Sequence, residues 1–227
     1  MTPLDLVPHV GRALMIFCLV GLFLRRRHHL CQFFPVHLVA VLIPSILIST
    51  WPASFYNWSF WIVKENLADI LTFVVALELV SKVFQAFPRA RRVARCTILV
   101  ILLVTFGLLL APAQGPPVLD LHPRLLAGTV WILIGIAALV MWYRIPLHPF
   151  HRALLLGFVF SLGVASGSLV LASKMSWEEW RPTLGWLGPI AYDITLVGWT
   201  WAAWRRERVP LVAPAVLQRL QPWRVTS

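Results

Sequence analysis

The chain has 227 residues, 59% of them hydrophobic, at a mean hydropathy of +0.78. A soluble fold of this length has too little interior for that much apolar side chain, whereas lipid accepts it. The formal charge of +11 invites a nucleic-acid partner, but its distribution argues against one: the basic residues form short clusters at the ends of apolar runs, where anionic headgroups meet them.

Hydrocarbon about 30 Å thick needs a helix of about 20 residues. Runs of that kind fall at about 4–24, 32–50, 60–86, 97–113, 124–143, 150–173 and 185–204. The expected fold is therefore an all-α seven-helix bundle over residues 1–204, with a basic tail at 205–227 and no soluble domain.

In the first run Asp5, His9 and Arg12 share a face by their i, i+4, i+7 spacing. No basic stretch precedes this run, and Asp5 and Arg12 interrupt its start, so it does not read as a cleaved signal. It ends at Arg25, Arg26, Arg27, His28 and His29. The second run carries His37. In the third, Glu65, Asp69 and Thr72 share a face, with Glu78 and Lys82 on the opposite side. The i, i+4 spacing of Glu78 and Lys82 predicts a local salt bridge, with the lysine reaching towards headgroups. His37 lies at a similar depth and completes a candidate inner cluster of Glu78, Lys82 and His37. The connection between these runs and the start of the third hold Trp51, Phe55, Tyr56, Trp58 and Trp61, an aromatic belt of the kind that sits at headgroup depth.

The fourth run, CTILVILLVTFGLLLAPA, is uniformly apolar and carries nothing reactive. The sixth has small residues at Gly157, Ser161, Ala165, Ser168 and Ala172, which predicts close packing inside the bundle. Gly163 and Gly167 add a GxxxG that allows a homo-oligomer. The seventh carries Asp193, with Pro189 near its start; Trp201 and Trp204 read as part of an inner belt. In the tail, Val212, Val216, Leu217 and Leu220 outline a short amphipathic helix after Pro214. Cys18, Cys31 and Cys96 lack metal spacing and read as small packing residues.

Arg25, Arg26, Arg27, Arg89, Arg91, Arg92, Arg95, Arg144, Arg152, Arg205, Arg206, Arg208, Arg219 and Arg224 all fall on one side of such a bundle, fourteen of the twenty Lys and Arg. Lys64, Arg124, Lys174 and Arg181 fall on the other. The positive-inside rule then sets the N-terminus outside and the C-terminus inside, in a plasma (inner) membrane.

Depth follows from the rise per residue. Arg12 lies about 18 Å, and Asp193 about 16 Å, above the inner helix ends at about 1.5 Å per residue. In a closed ring the first and last helices are neighbours, so an Arg12–Asp193 pair is expected, with Asp69 and His9 above it. These four residues form the candidate polar centre, facing outward.

Seven helices with an outside N-terminus is a topology similar to that of rhodopsins and G-protein-coupled receptors, and the similarity ends there. LGPIAYDITLVGWTWAAW has no lysine for a retinal Schiff base, and DRY and NPxxY are absent. The last run has no histidine, unlike the seven-helix zinc hydrolases, and HExxH and GxSxG are missing too. No metal or cofactor is expected. The leading expectation is a non-enzymatic receptor-like protein or complex subunit, binding through the polar centre and signalling through a separate cytoplasmic protein. A small permease or proton-coupled carrier using Asp69, Glu78 and Asp193 comes second, although no internal repeat supports it. An intramembrane enzyme comes third.

Overall fold

The computed structural model describes residues 3–85, 117–142, 147–172 and 185–206. Every regular element among them is a helix: α1 Pro3–Leu24, α2 Phe33–Thr50, α3 Pro52–Phe55, α4 Trp58–Gln85, α5 Pro117–Trp142, α6 Pro149–Ala172 and α7 Leu187–Trp204. The run expected at 97–113, Cys96, and the tail from residue 207 onward lie outside the described residues. Three helices, Leu6–Leu24, Phe33–Thr50 and Pro149–Leu171, are long and apolar enough to cross a membrane. The described residues are thus all-helical, and the protein is membrane-embedded.

Local chemistry sets several of the ends. Asn57 caps α4: its Oδ1 accepts the Phe60 N–H at 2.8 Å, and its Nδ2 donates to the Ser54 carbonyl at 2.9 Å. The α5 helix starts at Pro117, well before the expected 124, because a proline gives up nothing at a first helical position. The α1 helix closes in a Schellman turn. Arg27 N–H reaches Leu22 O at 2.8 Å and Arg26 N–H reaches Phe23 O at 3.0 Å, with Arg26 in the left-handed region at φ 53°.

The six long helices close a ring in the order α1, α2, α4, α5, α6, α7 and back to α1. Facing outward is an apolar surface, including Phe17, Val20, Ile43, Phe160, Ile194 and Val197. Water would penalise such a surface and hydrocarbon does not. The core is built on Leu38, Val75, Leu79, Leu133, Leu154 and Leu196, around the fully buried Trp199.

The most extensive packing is made by α7, on one side against α6 and on the other against α1. The same device serves both seams. Trp199 lies on Gly157 of α6, and its Nε1 donates to the Ala153 carbonyl at 3.2 Å. Trp204 lies on Gly21 of α1, and its Nε1 donates to the Phe17 carbonyl at 3.0 Å. Each carbonyl is four residues before the glycine, so it already accepts that glycine's own N–H within the helix. A missing Cβ lets the indole come close enough to share it. Thr195 and Thr200 repeat the pattern, reaching Gly157 O at 3.3 Å and Leu14 O at 3.4 Å. Trp199 is also ringed by Phe34 at 5.0 Å and Phe158 at 4.6 Å between centroids.

A Cβ on Gly157 would collide with the Trp199 indole and stand 2.7 Å from Thr195 Cγ2, whereas Gly163 and Gly167 have open space. Gly157→Val is therefore expected to lower stability by about 1–3 kcal/mol by overpacking, and Gly163→Val to leave it unchanged, read from thermal unfolding in detergent. Trp199→Ala is expected to cost about 3–5 kcal/mol. Arg26→Gly relieves a left-handed non-glycine residue and is expected to gain about 1 kcal/mol.

Candidate functional site

Of the expected polar centre, Arg12 and His9 come together, while Asp193 lies on another seam. Arg12 turns towards α2: its Nε donates to the Pro8 carbonyl at 3.0 Å, one terminal nitrogen donates to Ser49 Oγ, and the other lies 3.3 Å from His9 Nδ1. Ser49 is one residue from the end of α2, so the guanidinium sits where the partial negative charge of that helix end favours a cation. Asp193 instead faces the other side of α1. Its Oδ1 would lie 2.5 Å from a Cβ on Gly11, and no ion pair joins it to Arg12. The expected Arg12–Asp193 pair is thus corrected. Equal depth is not enough, because successive residues on a helix point about 100° apart and α1 has α2 on one flank and α7 on the other. Asp69 is half-buried on α4, which packs between α2 and α5 in the ring.

Asp193 opens onto a groove of about 310 Å³ on the perimeter of the bundle, between α1 and α7. Leu6, Val7, Val10 and Leu14 line one wall, and Ile190, Ile194 and Val197 the other. Among the described residues, the carboxylate has no hydrogen-bond or ion-pair partner. A carboxylate set among seven aliphatic side chains at a lipid-facing seam is costly, about 2.5–3.5 kcal/mol at mid-span, and that cost favours a cationic or proton-donating occupant.

The expected inner cluster also separates. Glu78 serves as a cap for α2 rather than as a partner for Lys82. Its Oε1 accepts the Gln32 N–H at 2.8 Å, while Oε2 accepts the Phe33 N–H at 3.1 Å and the Cys31 thiol at 3.1 Å. Gln32, at the N-cap, supplies no capping bond itself. A carboxylate from a neighbouring helix thus satisfies the free N–H groups and complements the positive end of the α2 dipole. No ion pair joins Glu78 to Lys82. His37 lies deeper: its Nδ1 is 3.4 Å from Thr72 Oγ1 and its ring is 5.6 Å from that of Phe158, while its Nε2 is buried without a partner among the described residues. The described residues contain no group of three His, Cys, Asp or Glu that could hold a metal.

Three helices hold the α1–α2 loop instead. Besides Glu78 from α4, His151 on α6 lies with Nε2 3.0 Å from the Leu30 carbonyl. Arg27 is buried, and its guanidinium donates to the Ala202 carbonyl and, at 2.5 Å, to the Arg205 carbonyl, capping the C-terminus of α7. In sequence the arginine run read as a topology signal alone, and nothing in its spacing set Arg27 apart from Arg25 and Arg26. Trp199, too, had no mark in sequence beyond the apolar run around it. Comparison with protein-family models, with curated proteins and with solved structures finds no match.

Burial raises the Cys31 thiol pKa above its ordinary value, and the nearby Glu78 carboxylate raises it further. A raised thiol keeps its proton in the folded state while the unfolded chain loses it above about pH 8.5. The unfolded state then binds fewer protons, so this contribution to stability is full below that pH and declines above it. Cys31→Ala is expected to flatten the fall in stability between about pH 8.5 and 10, as measured by denaturant unfolding at several pH values. Glu78→Gln is expected to cost about 1–2 kcal/mol through the weakened cap.

Proposed function

We propose that the chain is a seven-span protein of the plasma (inner) membrane, N-terminus outside, acting as a non-enzymatic receptor-like protein or complex subunit. Six long helices close into a ring, and the apolar run at 97–113 supplies the remaining span. The asymmetry of fourteen arginines against four basic residues across the two sides supports this orientation.

One observation carries the binding reading: the unpartnered Asp193 carboxylate in the aliphatic groove between α1 and α7. Charge complementarity asks for a cation, and the lining asks for an apolar body around it. The occupant is a lipophilic cation, bound by an ion pair in low dielectric and by burial of its hydrocarbon. A groove of about 310 Å³ is at the lower end of the usual range for small ligands. The same free carboxylate also favours a second reading, a carrier in which Asp193 takes up and releases a proton.

Dodecyltrimethylammonium is the probe that separates these readings, added to the full chain in neutral detergent and in proteoliposomes. Saturable binding that Asp193→Asn weakens about tenfold or more, without pH-driven flux, is the expected result. Flux along a pH gradient that Asp193→Asn abolishes would establish the carrier reading instead. Orientation is checked in a cysteine-free background. A cysteine at Ser54 is expected to react with an impermeant maleimide from outside, and one at Arg206 only after permeabilisation.

A further inference from the structure

At the basic end of the bundle, a second cavity of about 370 Å³ lies between the α1–α2 loop and the C-terminal end of α7. Its lining is Arg25, Arg26, Arg27, His29, Leu30, Arg205 and Arg206, with no carboxylate among the described residues. Arg27 is committed to the last carbonyls of α7, and Arg205 stacks over the Trp201 ring at 4.9 Å. The side chains of Arg25, Arg26 and Arg206 have no partner among the described residues. Glu207, the next residue in sequence, lies outside them.

Like charges gathered in one concavity repel each other unless an anion joins them. These cations are also held in place. The Schellman turn fixes Arg26, Arg27 ties the loop to α7, His151 ties it to α6, and Glu78 ties it to α4. A site whose frame is already ordered has less entropy to lose on binding. Guanidinium groups match phosphate oxygens in pairs, so a phosphate is the anion this geometry suits.

We infer that this cavity is a phosphate-binding site, filled by the headgroup of an anionic phospholipid. Free phosphate has the same chemistry, but the surroundings favour lipid. Leu24 and Trp201 beside the cavity are 68% and 61% exposed, and they offer acyl chains an apolar path directly below the headgroup. Basic pockets between membrane helices are suited to anionic headgroups for this reason. The site lies at the opposite end of the bundle from the Arg12–His9–Ser49 contact, and its existence does not depend on the function of Asp193.

The test uses the full chain in neutral detergent, with thermal unfolding followed as short-chain phosphatidic acid, short-chain phosphatidylcholine or inorganic phosphate is titrated in. Phosphatidic acid is expected to protect saturably and phosphatidylcholine not at all. The double variant Arg25→Gln/Arg206→Gln is expected to need about tenfold more phosphatidic acid, since each cation near a headgroup adds to the attraction. Arg152→Gln, an exposed cation at the same end outside the cavity, is expected to behave as the unsubstituted chain. Equal protection by inorganic phosphate, lost in the same double variant, would keep the phosphate site but overturn the lipid as its occupant. Unchanged protection in the double variant, or an equal loss in Arg152→Gln, would overturn the site. Should the double variant fail to fold, Arg25→Gln alone is read in the same way, with about threefold weakening expected.

Discussion

Close approach of α7 to both of its neighbours is the constraint on which the bundle depends. Lipid removes most of the hydrophobic drive between helices, so contact and hydrogen bonding must replace it. Here the replacement is an indole resting on a glycine, once on each flank: Trp199 on Gly157 and Trp204 on Gly21. Each indole N–H finds an acceptor in a carbonyl that is already part of the helix, and no backbone bond has to break. Because the two indoles are five residues apart on α7, they point to different sides. One helix therefore joins α6 to α1 and closes the ring.

At the basic end the same economy of partners governs the α1–α2 loop. Helix ends leave free N–H and carbonyl groups, and in hydrocarbon or at its edge each one needs a partner. The start of α2 is satisfied by Glu78 of α4, and the end of α7 by Arg27 of the loop. Charged side chains near the membrane are thus spent on helix ends, which accounts for Glu78, a candidate of the inner cluster, and for Arg27, one of the topology arginines. Once these are committed, the remaining arginines of the loop stand together with nothing among the described residues to neutralise them.

The groups left over differ in kind. His37 Nε2, Asn66 Oδ1 and the Tyr192 hydroxyl are buried polar atoms without partners among the described residues. Asp193 is different because it is open to the perimeter. Its surroundings are aliphatic, and Arg12, the cation at matching depth, is occupied by Ser49 and His9.

Hydropathy and spacing in the sequence determined what depends only on a single helix and its surroundings. They located the apolar runs, put aromatic residues such as Trp51 and Tyr56 at an exposed connection, and marked the small residues of α6, of which Gly157 and Ser161 are indeed packed inward. They also gave the depth of Arg12 and Asp193, since rise per residue is a property of one helix. Direction around the axis was decided only by tertiary structure. It depends on which neighbour lies on which side, and it sent Arg12 to α2, Asp193 to Gly11 and Glu78 to the start of α2. The sequence counted Arg25, Arg26 and Arg27 as equal charges on one side of a membrane. Folding made one of them a helix cap and left the other two in a cavity, because only the packed ends of α1 and α7 bring Arg205 and Arg206 beside them.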